Sequence, residues 1–128
     1  MKWPFTSASS PTSDIAIFWQ PLAQDSDLDA IALASQQQPV ALFKHSTRCS
    51  ISRMALRQFE AGWPSLAPMA AYYLDLLNHR DISNAIAARW GVQHQSPQVL
   101  VVFKDKVIHH ASHEGIDVTQ VLRLSEML

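Results

Sequence analysis

The stretch PVALFKHSTRCSISRMALRQFEAGW, residues 39–63, decides the fold because it predicts one strand, one loop and one helix in succession. Residues 39–43 form a continuous apolar run, which is typical of a strand covered on both faces of a sheet. A helical pattern follows from Ser50 and ends near Gly62. Cys49, the one cysteine of the chain, therefore falls between a buried strand and the start of a helix. We expect the buried face of that helix to carry Ile51, Met54, Ala55 and Phe59.

Strands and helices alternate on both sides of this stretch. The order β-α-β-α-β-α-β-β-α predicts an α/β protein with a mixed, mainly parallel central sheet, helices on both faces and an antiparallel hairpin at the edge. This element order is that of the thioredoxin fold. The further predicted elements are an edge strand in 15–22, a helix from Ser26, a strand over 69–77, a helix from an Asp81 N-cap to Gly91, strands over 98–103 and 106–111 joined at Lys104-Asp105, and a last helix capped by Asp117.

Composition limits the function classes. The 128 residues suit one domain, and 48% hydrophobic with 16% charged residues indicates a folded, soluble chain. We expect a flexible tail over 1–14 and a thioredoxin-like domain over 15–128. The net charge of −1 gives no basic face for nucleic acid. The sequence lacks both the apolar segment of a signal peptide and a run of ~18 apolar residues, so we expect a cytoplasmic protein without membrane contact.

Cys49 has two interpretations. A lone cysteine is most often a small buried hydrophobe. At a helix N-terminus, however, unpaired backbone N–H groups and the helix dipole favour the anionic thiolate, which is the reactive form. Arg48 adds a fixed positive charge, and His45 adds another at acidic pH. The position of Cys49 therefore favours nucleophilic chemistry.

The fourth position of the C-x-x-S segment excludes a dithiol mechanism. Ser52 occupies the place of the second cysteine in a C-x-x-C motif, and its hydroxyl can donate a hydrogen bond to a thiolate but cannot form a disulfide. A single-thiol cycle with an external thiol remains. By analogy with thioredoxin folds, we expect the Ser96-Pro97 bond to be cis and to face Cys49.

Several blocks together carry a resemblance to a known family. The blocks FKHST (43–47), Cys49 with the following Ile-Ser, SNAIA (83–87), SPQ (96–98) and HASH (110–113) resemble the YtxJ-type bacillithiol-system redox-active proteins, which are monothiol bacilliredoxins of thioredoxin-like fold. The resemblance runs from about Phe43 to His113. Ser50 replaces the proline expected after the cysteine, and Glu114-Gly115 replaces a tryptophan.

The resemblance implies a thiol-disulfide exchange function. Cys49 would accept bacillithiol, the co-substrate, from S-bacillithiolated client proteins, without a permanently bound cofactor or metal. Ser96 and Pro97 would hold the incoming chain or thiol. The residues expected to assist Cys49 are His45, Thr47, Arg48, Ser50 and Ser52.

Two other functions stay open at this point. An iron–sulfur carrier similar to monothiol glutaredoxins would be brown after anaerobic purification. A catalytically idle interaction domain would show ordinary thiol reactivity at Cys49. His109 and His110 point to opposite faces of a strand, so we do not expect them to form a metal site with His113.

Overall fold

The computed structural model describes residues 18–127. The predicted flexible tail over 1–14 and residues 15–17 of the first predicted strand lie outside the described residues. Within 18–127 the predicted order of strands and helices is confirmed. The strands are β1 (Gln20–Pro21), β2 (Val40–His45), β3 (Ala70–Asp75), β4 (Gln98–Phe103) and β5 (Lys106–Ser112); the helices are α1 (Ser26–Ala34), α2 (Ser50–Ala61), α3 (Arg80–Trp90) and α4 (Val118–Leu124), with 3-10 turns at His113–Gly115 and Ser125–Met127.

The five strands of the described region form one mixed sheet in the order β1-β3-β2-β4-β5. β1, β3 and β2 run parallel, as the alternating pattern predicted. The predicted antiparallel hairpin of β4 and β5 at the edge is confirmed. The expectation of a mainly parallel sheet is wrong, because β4 also pairs antiparallel with β2. The connection through α3 therefore leads from β3 to a strand, β4, that runs in the opposite direction, and the order of elements alone does not predict this reversal.

The sheet separates two hydrophobic cores. Successive side chains of a strand point to opposite faces, so Phe43 enters one core and Leu42 the other. Leu56 and Phe59 of α2 and Val121 of α4 cover the first face. The second face is covered by α1 and α3 through Leu28, Ile31, Ile82 and Ile86. Helices on both faces are thus confirmed.

The buried face of α2 differs from the predicted one. Phe59 is buried and Ala55 half-buried, as predicted, but Ser52 and Leu56 are also buried, whereas Ile51 is 58% exposed and Met54 62% exposed. The hydrophobic period placed the buried face wrongly because that face includes Ser52, a polar residue that is buried by its internal hydrogen bonds. Two apolar side chains consequently stay on the surface in the turn that follows Cys49.

Several predicted element ends are confirmed and one is wrong. Gly91 ends α3 in the left-handed region with φ 69°, and Asp117 caps α4 by accepting a hydrogen bond from the Thr119 N–H at 3.0 Å. The N-cap of α3 is His79 instead of Asp81, which lies in the first turn, where a carboxylate complements the helix dipole. No helix within 18–127 is long and apolar enough to span a membrane.

Candidate active site

Cys49 is the N-cap residue of α2, as its place in the sequence predicted. Its backbone is extended, with φ −101° and ψ 120°, and its side chain is half-buried and makes no capping hydrogen bond. A tight turn holds the residue, because its N–H donates to the Ser46 carbonyl at 3.1 Å and its own carbonyl accepts from the Arg53 N–H at 3.0 Å. These backbone bonds hold Cys49 at the positive end of a 12-residue helix, and its side chain makes no capping hydrogen bond.

Ser52 connects the start of α2 to the end of β2. Its completely buried hydroxyl oxygen accepts from the Ser46 N–H at 3.0 Å and lies 2.8 Å from His45 Nδ1. If Nδ1 accepts, the hydroxyl proton is used by His45; if Nδ1 carries the proton, the hydroxyl proton is left for another acceptor. The hydrogen bond from Ser52 to the Cys49 thiolate stays a prediction that depends on this tautomer.

His45 is the last residue of β2 and is only 1% exposed. Its ring centroid lies 5.8 Å from that of Tyr73 on β3. Its side chain is part of the core, and its contribution of positive charge at acidic pH stays a prediction. Its contact with Ser52 gives it a role in fixing the helix start.

Three of the expected assisting residues lie on the surface around Cys49. Thr47, Arg48 and Ser50 are exposed, and Ser50 is the first residue of α2. The Thr47 carbonyl accepts a hydrogen bond from Arg53 Nη1 at 3.0 Å. Arg53, which the sequence analysis missed, therefore braces the cysteine loop from one turn inside the helix.

The Ser96-Pro97 bond is cis, as predicted. Gln98, the next residue, is paired with Lys44, so Pro97 enters the sheet at the end where β2 leaves toward Cys49. The buried Pro97 carbonyl accepts from the His113 N–H at 3.1 Å, and the Ser96 hydroxyl oxygen is buried without a hydrogen-bond partner among the described residues. The cis-proline segment and the cysteine loop therefore lie at the same end of the sheet, and the expectation that Pro97 faces Cys49 stays a prediction.

His113 links this segment to α2. It has a positive φ of 53°, which is uncommon outside glycine. Its side chain shares a small cleft of about 70 Å³ with the exposed Ile51 and Met54 of α2. In the sequence, His113 is part of the HASH block that carries the resemblance. In the structure, its backbone N–H donates to the Pro97 carbonyl and so links this block to the cis-proline segment.

Arg80 is a second residue that the sequence analysis missed. It begins α3 and lines a cavity together with Thr47 and Arg48. No local signal identifies it, because its place beside the cysteine loop depends on β2 and β3 being parallel neighbours, whose following loops leave the same edge of the sheet.

Lys44 is a buried lysine just below this edge. It is completely buried, and burial lowers its pKa from 10.5 to about 8. Its Nζ donates to the Ser83 carbonyl at 3.4 Å and lies 3.4 Å from His94 Nδ1. The pKa of His94 is lowered first by burial and then by the positive charges of Lys44 and Arg80. The positive charges of Lys44 and Arg80 therefore both lower the pKa of His94.

The histidines of β5 are separated as the strand geometry predicted, with His109 half-buried and His110 exposed. Among the residues whose side chains are described, 18–126, no group of three or more His, Cys, Asp or Glu side chains is placed to hold a metal ion.

Comparisons with known proteins agree with this arrangement. Residues 20–121 match the family model described as monothiol bacilliredoxin BrxC. A solved structure of a candidate oxidoreductase with a thioredoxin fold is 26% identical, with a TM-score of 0.68 over 83% of this chain and 92% of that one. Thioredoxins from Malassezia sympodialis and Fasciola hepatica are each 16% identical, with TM-scores of 0.63; they cover 85% and 84% of this chain, and 89% and 97% of their own. The two thioredoxins are similar to this chain in fold.

Proposed function

The chain belongs to the monothiol bacilliredoxin BrxC family, and on that premise we propose that it removes bacillithiol from S-bacillithiolated client proteins through Cys49. One observation carries the proposal. The sole cysteine of the chain is the N-cap of α2, with its side chain free of any capping hydrogen bond. The attacking species in disulfide exchange is a thiolate, and at this position its negative charge lies at the positive end of the helix dipole.

The proposed cycle has two exchange steps. In the first, the Cys49 thiolate attacks the bacillithiol sulfur of the mixed disulfide, a new S–S bond forms between Cys49 and bacillithiol, and the client leaves as its thiolate. In the second, the thiolate of another bacillithiol attacks the adduct and regenerates the Cys49 thiolate, with bacillithiol disulfide as the product. Each step exchanges one S–S bond for another, so no net electrons are lost.

The site supports this cycle through position and access. Cys49 lies on a loop that Arg53 and Ser52 fix from within α2. The Ser96-Pro97 segment reaches the same end of the sheet and could pair with an incoming chain in the manner of an added strand. A hydroxyl at position 52 restricts the protein to one protein thiol per cycle.

The test uses a purified client that carries a single bacillithiol mixed disulfide. We expect the wild-type protein to release reduced client and to gain the mass of one bacillithiol, located on Cys49 by peptide mapping. Cys49→Ser should release none, because a hydroxyl is not nucleophilic enough for disulfide exchange, and its thermal unfolding should show that it is folded. Release by folded Cys49→Ser, or a wild-type protein that never carries the adduct, would contradict the proposal.

A further inference from the structure

A cavity of about 440 Å³ opens beside the cysteine loop, and its lining contains no acidic residue. It lies between the loop that leads into α2 and the loop that leads into α3, which follow the paired ends of β2 and β3 at His45 and Asp75. Its volume falls in the ~300–1,000 Å³ range of small-molecule sites. We call it the two-arginine cavity; it is lined by Thr47, Arg48, Leu77, Asn78 and Arg80.

The charge of this cavity comes from the guanidinium groups of Arg48 and Arg80, one from each loop. Neither forms an ion pair within the described part of the chain, where the ion pairs are made by Arg89. The nearby carboxylate of Asp75 accepts a hydrogen bond from Asn78 Nδ2 at 2.8 Å and is not among the lining residues. Asp81, which follows Arg80, is exposed in the first turn of α3. The two arginines are thus available for an anion from outside.

A buried cation increases the positive potential behind Arg80. Lys44 Nζ donates to the carbonyl of Ser83, which lies three residues after Arg80 in α3. No carboxylate is within ion-pair distance of Lys44 in the region that the structure describes. An anion bound at Arg80 would partly offset this uncompensated charge.

Bacillithiol has the chemistry to fill such a site. It joins cysteine to glucosamine and malate, so its sulfur lies at one end and two carboxylates lie at the other. Arginine binds carboxylates through paired, charge-assisted hydrogen bonds. Arg48 directly precedes Cys49, so a thiol whose sulfur is at Cys49 has the cavity within reach of its other end. Resting on the function proposed above, we propose that the two-arginine cavity binds the dicarboxylate end of the small thiol and so selects an anionic thiol.

The test compares two disulfides that differ only in the anionic group. The probes are bacillithiol disulfide and the disulfide of cysteinyl-glucosamine, which lacks malate. The rate at which each forms an adduct with reduced Cys49 is followed by intact mass. We expect Arg80→Gln to slow the bacillithiol reaction about tenfold, or ~1.4 kcal/mol, and to leave the malate-free reaction within about twofold. Arg80 is replaced instead of Arg48 because Arg48 adjoins Cys49, so loss of Arg48 would slow the reactions of both probes.

Arg57→Gln is the matched control. Arg57 is an exposed arginine of α2 outside the cavity, so its loss changes net charge equally and should slow neither probe selectively. Equal effects of Arg80→Gln on both probes, or no effect on either, would overturn the subsite while the exchange function stands. A wild-type protein that reacts with neither disulfide would instead contradict the proposed function itself.

Discussion

The Ser52 hydroxyl has a structural role that its position in the C-x-x-S segment does not predict. It is completely buried and bonds to His45 and to the Ser46 N–H, so it joins the end of β2 to the first turn of α2. The sequence predicted a hydroxyl near the thiolate, but the burial of His45 depends on tertiary packing that the local pattern does not contain. A single residue therefore has a predicted chemical role and an observed structural one.

Ser52→Ala should lower the free energy of unfolding by about 1–3 kcal/mol, because it removes the acceptor of the half-buried Ser46 N–H and a hydrogen-bond partner of the buried His45 ring. Ser50→Ala is the matched control, since Ser50 is exposed two residues earlier, and it should change stability by less than about 0.5 kcal/mol. Urea unfolding of both variants measures the difference. Equal stability of Ser52→Ala and wild type would mean that these hydrogen bonds contribute nothing net.

Lys44→Met should stabilise the protein at neutral pH. Below about pH 8, Lys44 is charged in both the folded and unfolded states, and burial of that charge costs up to roughly 3 kcal/mol given the lowered pKa. Between about pH 8 and 10.5 the unfolded chain holds a proton that the folded protein has released, so wild-type stability should rise with pH through this window. The advantage of Lys44→Met should therefore shrink toward pH 10.

Urea unfolding at pH 7 and pH 10 measures this effect, with Lys106→Met as the control. Lys106 is exposed, so its replacement should change stability by less than about 0.5 kcal/mol at either pH. A Lys44→Met variant that is less stable than wild type by the same amount at both pH values would show that the Lys44 hydrogen bonds outweigh the cost of its buried charge.

At the scale of elements, the contact between α2 and α4 depends on a glycine. A Cβ added to Gly62, just after α2, would overlap the Val118 side chain at the start of α4. The sequence identified Gly62 as a helix end but gave no sign of this contact, because α4 lies more than 50 residues away. Helix boundaries were predictable from local signals, whereas the packing partners of helix ends were not.

Gly62→Ala should destabilise the protein by about 1–3 kcal/mol, because the new methyl group forces α2 and α4 apart. Gly115→Ala is the control, since its Cβ would find its nearest neighbour, Ala111 Cβ, at 3.9 Å. Thermal unfolding of both variants should show a clear loss for the first and little change for the second. Comparable melting temperatures for the two would contradict the close approach of α2 and α4.

At the scale of the whole molecule, element order and the cysteine position were predictable, but the meeting of distant segments was only partly so. The cysteine loop and the cis-proline segment are expected to face each other by analogy with thioredoxin folds, and the register of β2 with β4 places both at the same end of the sheet. The two-arginine cavity was not expected, because it requires knowing that β2 and β3 are neighbours. The direction of β4 was also not predicted, because a hydrophobic run indicates a buried strand but not whether it runs parallel or antiparallel to its neighbour.

The unequal division of aromatic rings between the two cores has a consequence for optical measurements. Trp19 and Trp63 both pack on Phe59, with ring centroids 5.8 Å and 5.2 Å apart, in the core that α2 and α4 cover. Trp90 packs against the aliphatic core on the other face, and its indole N–H donates to Asp105. Among the tryptophans of residues 18–127, fluorescence emission is therefore weighted toward one side of the sheet. Loosening of the α1 and α3 side would alter far-ultraviolet circular dichroism more than tryptophan emission, so coincidence of the two signals would indicate that both layers unfold as one unit.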